Sequence, residues 1–235
     1  MHLAAATGHV AALEALARAG IPLGERDDNG STPAHDAAIS GQPAAVEALA
    51  CTGVPLRERD ADGRTPAHRA AFGGHAAALA ALARAGVLLG ERDDLGNTLA
   101  HYAAEAGNTI ALQALARAGA LLNERDAHGC LPAHLAAGAG HAAALEALAR
   151  AGVPLGERDA GSRTPAHSAA LRGHVAALEA LACAGAPLGE TGDCGRTPAH
   201  FAATEGHVAA PEALARAGVP LHQRDDDGWT LAHYA

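Results

Sequence analysis

The chain has 235 residues and a net charge of −9, from 26 acidic residues against 17 basic ones, all of them arginine. That balance excludes sequence-independent binding to nucleic acid or to anionic membranes, both of which need a dense basic surface. About half of the residues are hydrophobic (49%) but only 2% are aromatic, so the apolar content is carried by alanine and suits many shallow cores rather than one deep one.

No apolar run approaches transmembrane length, and Met1-His2-Leu3 opens no signal peptide. Cys51, Cys130, Cys183 and Cys194 lack the spacing of a metal site or a disulfide framework, which points to a reducing, intracellular setting, cytoplasmic or nuclear.

Residues 1–8 read as part of a short helix, and a second helix follows in which Leu13 and Leu16 point inward. Glu14 and Arg18 are spaced for an outward ion pair one turn apart, as are Glu146 with Arg150 and Glu212 with Arg216. After Gly20, Ile21-Pro22-Leu23 is expected to be extended, and Asp28-Asn29-Gly30 to close a tight turn, giving a hairpin finger. Thr32 is placed to cap the next helix and Pro33 to occupy its first position, where a missing N–H costs nothing. Ala34, Ala37 and Ala38 share one face of that helix, Asp36, Ile39 and Ser40 fall opposite, and Gly41 can stop it.

This sequence of elements then repeats. Thr32-Pro33-Ala34-His35 recurs as Thr65-Pro66-Ala67-His68, Thr98-Leu99-Ala100-His101, Leu131-Pro132-Ala133-His134, Thr164-Pro165-Ala166-His167, Thr197-Pro198-Ala199-His200 and Thr230-Leu231-Ala232-His233, always 33 residues apart. A Gly-His pair marks a second phase at His9, His75, His141, His174 and His207. Each unit holds about three large apolar side chains and cannot bury them alone, so neighbours must stack. The expected periods are a partial repeat 1–27, full repeats 28–60, 61–93, 94–126, 127–159, 160–192 and 193–225, and a partial repeat 226–235. Neither end has the polar outer face of a capping unit. The chain is therefore expected to be a segment of a longer array, or to self-associate through its uncapped ends.

The period and the order of its parts resemble the ankyrin repeat over the whole chain. The resemblance implies an all-α repeat solenoid of helix–turn–helix units with β-hairpin fingers, elongated and slightly curved. It also implies that the Thr-Pro-x-His histidine is a hydrogen-bonding strut, and that the first-helix faces and fingers line a groove for partners.

Histidine is abundant, but equivalent residues of successive repeats lie about 10 Å apart, whereas zinc needs its nitrogens about 2 Å from one metal. No metal site and no cofactor are expected. Ser31, Ser40, Ser162 and Ser168 occupy unrelated repeat positions and none lies in a nucleophile elbow, so no enzymatic activity is expected either. The Glu-Arg-Asp tripeptides, such as Glu25-Arg26-Asp27 and Glu58-Arg59-Asp60, read as a solvated ladder of ion pairs between repeats.

The aromatic residues all sit where the repeats vary. Tyr102, Phe201 and Tyr234 follow the Thr-Pro-x-His histidine, Arg69 and Leu135 share that position, and Phe72 lies three residues further along the helix face. Trp229 is in a finger, at the position that Arg64, Arg163 and Arg196 occupy elsewhere. Aromatic and arginine side chains are the types enriched in binding hot spots. Arg64, Arg69, Phe72, Tyr102, Leu135, Arg163, Arg196, Phe201 and Trp229 are therefore the candidate partner-binding residues. The expected partner is another protein, presenting an extended or helical segment with acidic residues and apolar anchors; a structural spacer within a longer array is the alternative. Four departures from the pattern stand out: Leu131 for the capping Thr, Gly161-Ser162 in one finger turn, Thr191-Gly192 for Arg-Asp, and Pro211 for a core Leu.

Overall fold

The computed structural model describes residues 1–234, which fall into two compact units: residues 1–103 with 108–121, and residues 104–107 with 122 onward. The elements are short helices joined by loops. The first unit holds α1 (His2–Ala6), α2 (Val10–Arg18), α3 (Pro33–Ile39), α4 (Pro43–Cys51), α5 (Pro66–Phe72), α6 (Ala76–Arg84), most of α7 (Leu99–Glu105) and α8 (Thr109–Arg117). The second holds α9 (Pro132–Gly138), α10 (Ala142–Arg150), α11 (Pro165–Leu171), α12 (Val175–Cys183), α13 (Pro198–Thr204) and α14 (Ala209–Arg216). Odd-numbered helices stack on odd and even on even: α1 on α3 on α5, α2 on α4 on α6, α9 on α11 on α13, α10 on α12 on α14.

The odd helices pack through alanine. Ala34, Ala37, Ala38, Ala67, Ala70 and Ala71 are completely buried, and with no side chain beyond Cβ they let backbones approach closely. The even helices supply the volume: Leu13, Leu49, Leu82, Leu145, Leu148 and Leu181 are fully buried, each contributing roughly 1.5–3 kcal/mol by leaving water. Leu16 is only half-buried.

The odd helices after α1 are capped by a histidine of their own first turn. The Nδ1 of His35 accepts the Thr32 backbone N–H at 3.0 Å and lies 2.9 Å from the Thr32 hydroxyl. An N–H can only donate, so Nδ1 is bare and the proton sits on Nε2, which donates to the Arg64 carbonyl at 3.0 Å. The same bridge joins His68 to Asn97, His134 to Arg163 and His167 to Arg196. Leu131 has no hydroxyl, but its N–H still reaches His134 Nδ1 at 3.0 Å, so that repeat keeps the backbone half of the cap. The second histidine register ties the stack at the other end of the odd helices: His75 Nε2 donates to the Ile39 carbonyl and His207 Nε2 to that of Leu171. Gly41 (φ 66°) must be glycine twice over, for its left-handed backbone and because a Cβ there would strike the His75 ring.

The fingers are not β-hairpins. Among the described residues no strand forms, and the only β pairing is a single bridge between Arg92 and Thr98. The reason lies in the aspartate. Asp27 Oδ1 accepts the N–H groups of Asn29 and Ser31 at 2.9 and 2.8 Å, taking donors that a ladder would need. Asp60, Asp93, Asp126, Asp159 and Asp225 do the same in their own fingers. Among the described residues one backbone bond links successive fingers at three places, from Ala61 N–H to the Asn29 carbonyl (3.0 Å), from Ala160 to His128 (3.0 Å) and from Asp226 to Cys194 (3.1 Å).

The Glu-Arg-Asp run accordingly splits in two. Arg26 pairs with Glu58, Arg125 with Glu157 (2.8 Å) and Arg158 with Glu190 (2.9 Å), forming the exposed ladder between repeats. The aspartates are turn clasps, buried at Asp60, Asp93 and Asp159, and not part of that ladder. The helix pairs are also redrawn. Glu146–Arg150 forms within its helix at 2.8 Å, whereas Arg216 reaches back to Glu179 and Arg18 meets only the Glu14 carbonyl. The turn at Gly161-Ser162 is retained, because Ser162 adopts the left-handed backbone (φ 56°) that glycine adopts in sister fingers. Gly192 keeps its backbone bond to the Arg196 carbonyl, 2.7 Å, without an aspartate clasp.

Pro211 shortens its helix. α14 starts one residue later in its repeat than α12 does, and Pro211 is its third residue, where the first-turn N–H has no helical partner. Its counterpart Leu178 is buried and donates to the His174 carbonyl; Pro211 is half-buried and borders a hollow of about 460 Å³ with Val208 and Tyr234. Pro211→Leu is expected to lengthen the helix and raise stability by about 2–4 kcal/mol. A denaturant midpoint that stays or falls would contradict this.

Burial lowers the pKa of His35, His68, His134 and His167, the last to about 4. A depressed histidine favours the neutral ring in the fold, so its contribution is complete above the unfolded value of about 6.5 and fades as pH falls toward the folded one. At His167 alone the loss amounts to about 3 kcal/mol. Urea midpoints should therefore be flat from pH 8 to 7 and fall from about pH 6.5 to 5.5, above the range where carboxylates titrate. A flat profile across that range would refute the neutral-histidine cap.

Candidate functional site

The candidate residues fall into two clusters, one in each unit. In the first unit Arg64, Arg69, Phe72 and Tyr102 meet around two finger aspartates. Asp60 offers Oδ1 to its own turn and Oδ2 to Arg69, whose Nε and Nη2 lie 3.0 and 2.6 Å away. Asp93 likewise offers Oδ2 to the Tyr102 hydroxyl at 2.6 Å, and that hydroxyl accepts from Arg64 Nε at 2.9 Å. Phe72 closes the cluster, edge-on to Tyr102 with centroids 6.4 Å apart.

These contacts change what the residues can do. Tyr102 was expected to present its ring, but it is only 8% exposed, wedged edge-on against His68 at 5.4 Å. Burial, and then the Asp93 carboxylate, push its hydroxyl pKa far up, so it remains a neutral donor. Burial also pushes Asp60 and Asp93 upward, but the Arg64 N–H and Arg69 at the first, and the Tyr102 hydroxyl and Asn97 at the second, outweigh it and leave both below the ordinary carboxylate range. Phe72 alone of the four remains widely exposed, at 46%.

In the second unit the candidates are more open. Arg163 forks onto Asp159 Oδ2 through Nε and Nη2, both at 3.1 Å. Arg196 lies 3.9 Å from Asp225 and covers the Tyr234 ring at 5.2 Å. Phe201 is half-buried, edge-on to His167 at 5.5 Å, and Trp229 stacks on His233 yet stays 48% exposed. Leu135 is half-buried on the floor of a recess of about 220 Å³ between α9 and α11, with Arg163 on its finger side. Cys130 borders the same recess as a protonated thiol, its pKa pushed to about 11 by burial and by Asp126 and Asp159. The aspartates were the residues that sequence reasoning misplaced. The signal was available, since the variable helix position lies nine residues beyond the finger aspartate and pairs with it at Arg69, Tyr102 and Tyr234.

A family model described as ankyrin repeats (3 copies) matches residues 1–93 and 52–126, and one described as ankyrin repeats (many copies) matches residues 133–182 and 166–215. The chain belongs to the ankyrin-repeat family. Among solved structures, the human ASB11 ankyrin repeat domain matches with a TM-score of 0.82 at 23% identity, covering 93% of this chain and 97% of that one. The ankyrin repeat domain of Bcl-3, a member of the IkappaB protein family, matches with a TM-score of 0.74 at 24% identity, covering 88% and 95%. No curated protein sequence matches.

Ankyrin repeat domains are in general protein–protein interaction modules on a non-enzymatic fold. Among the described residues no group of three or more His, Cys, Asp or Glu side chains is placed to hold a metal ion, and no helix is long and apolar enough to cross a membrane. In these ankyrin repeats the position after the histidine serves two masters, the finger aspartate behind it and solvent in front. Tyr102→Phe separates them: it keeps the ring but removes the hydroxyl between Asp93 and Arg64. The expected cost is about 1–3 kcal/mol in stability, from a buried carboxylate oxygen losing the shorter of its two donors and keeping only the Asn97 amide. An unchanged denaturant midpoint would show that the bond contributes nothing.

Proposed function

We propose that this ankyrin-repeat chain binds another protein through its fingers and first-helix faces, as a non-enzymatic scaffold. The observation that carries the reading is the exposure of Phe72 and Trp229. Each is about half exposed, at 46% and 48%, in a register where no other repeat has an aromatic. Stacking does not need them there, because sister repeats manage with Glu105, Gly138 or Leu171 in the first register and with Arg64, Arg163 or Arg196 in the second. The finger arginines favour a partner segment with carboxylates beside its apolar anchors. The repeats would act together as one domain inside the cell, and self-association is a further route to a partner.

A display library of random twenty-residue peptides tests the reading, with the whole chain as bait. Phe72→Ala combined with Trp229→Ala should leave helicity and melting unchanged and weaken the selected peptides about thirtyfold, as loss of a hot-spot aromatic does. Ile110→Ala with Val208→Ala, more exposed at 65% and 75% and lying at the start of second helices, outside the finger and first-helix registers, should bind like the parent. If the second pair loses binding and the first does not, the surface lies elsewhere. If the parent selects nothing, the chain is a spacer.

A further inference from the structure

The recess between α9 and α11 is a built feature rather than an accident of packing. Its floor is Leu135 and Leu171, and its space comes from two small residues, Gly138 at the end of α9 and Ser168 on α11. Gly138 occupies the register of Phe72, and a side chain there would extend beside Ser168 into the recess. Nothing in the fold demands glycine there: a Cβ on Gly138 would meet only the Ser168 Cβ, at an ordinary 3.7 Å. The volume, about 220 Å³, is below the roughly 300–1,000 Å³ of small-molecule pockets and suits one leucine- or phenylalanine-sized side chain.

Its charges are unequal in reach. Asp159 is at the finger wall, but its side chain is only 2% exposed, with one oxygen taken by its own turn and the other by Arg163. The group that faces solvent is therefore the Arg163 guanidinium, 43% exposed. Arg172, the residue that ends α11, is exposed at the rim and has no side-chain partner among the described residues. Glu105 is the one exposed carboxylate at the rim and lies in the preceding repeat.

We propose that this recess is the anchor pocket for a partner peptide that inserts one large apolar side chain over Leu135 and sets a neighbouring carboxylate against Arg172. The inference rests on the protein-binding reading above and gives it a specific place and partner chemistry. Arg172 and Arg163 together attract the carboxylate, and Glu105 repels a second one on the opposite side, which fixes the direction of the peptide.

Random twelve-residue peptides displayed against the whole chain decide it. The parent should enrich sequences with a Leu, Phe, Ile or Met beside an Asp or Glu, and the best of them, synthesised, becomes the probe. Gly138→Phe fills the recess from within and should weaken that probe at least tenfold while the melting curve is unchanged or higher. Gly138→Ala should bind it nearly as the parent does. Arg172→Glu, a surface change, should weaken the acidic probe and favour its Glu-to-Arg counterpart. Equal affinity of parent and Gly138→Phe for the probe overturns the pocket but leaves the broader reading standing. Enrichment of peptides without an apolar anchor overturns it too. No enrichment at all by the parent overturns both.

Discussion

The fold depends on a neutral imidazole acting as a two-ended bridge at His35, His68, His134 and His167. Its Nδ1 takes the N–H that starts the first helix, and its Nε2 gives a proton to a finger carbonyl 29 residues later, as from His35 to Arg64. That single side chain fixes the start of a helix, the place of the next finger and so the step from one repeat to the next. The alanines follow from it, because helices held at this spacing have no room for larger side chains on their shared face. The aspartate clasp is the second half of the same device. It holds the finger in the shape that offers the carbonyl to the histidine, and through its second oxygen it reaches the variable residue of the first helix.

Much of this was legible in the sequence. An unbroken 33-residue period leaves one architecture, and Thr, Pro, His and Gly at fixed phases each carry a local physical role. The fingers were misread as hairpins because residue pattern shows where a turn falls but not which acceptor takes its N–H groups. Asp27 and its sisters take them, and the ladder never forms. Tyr102 was misread for a related reason. A variable aromatic on an outer helix face looks free until the oxygen nine residues upstream is located, and Asp93 then draws it inward. Phe72 and Trp229 make no such bond, and both remain about half exposed.

The recess at Leu135 was hidden for the opposite cause. It is made by what Gly138 and Ser168 lack, and a missing side chain reads in a sequence as an unremarkable small residue. Only packing turns absence into shape. The division of labour is then clear in residue terms: histidine, aspartate, alanine and leucine at constant positions hold the stack, and the positions they leave over differ from repeat to repeat. On such a scaffold the leftover positions are the ones free to vary, since the constant ones are consumed by one another.

The bridge itself is the claim most open to direct test. Long-range proton–nitrogen correlation spectra of the histidine side chains at neutral pH report which ring nitrogen carries the proton. His35, His68, His134 and His167 should each show the neutral ring with hydrogen on Nε2 and a bare, accepting Nδ1. Rings protonated on Nδ1, or fully charged imidazolium at those positions, would contradict the account.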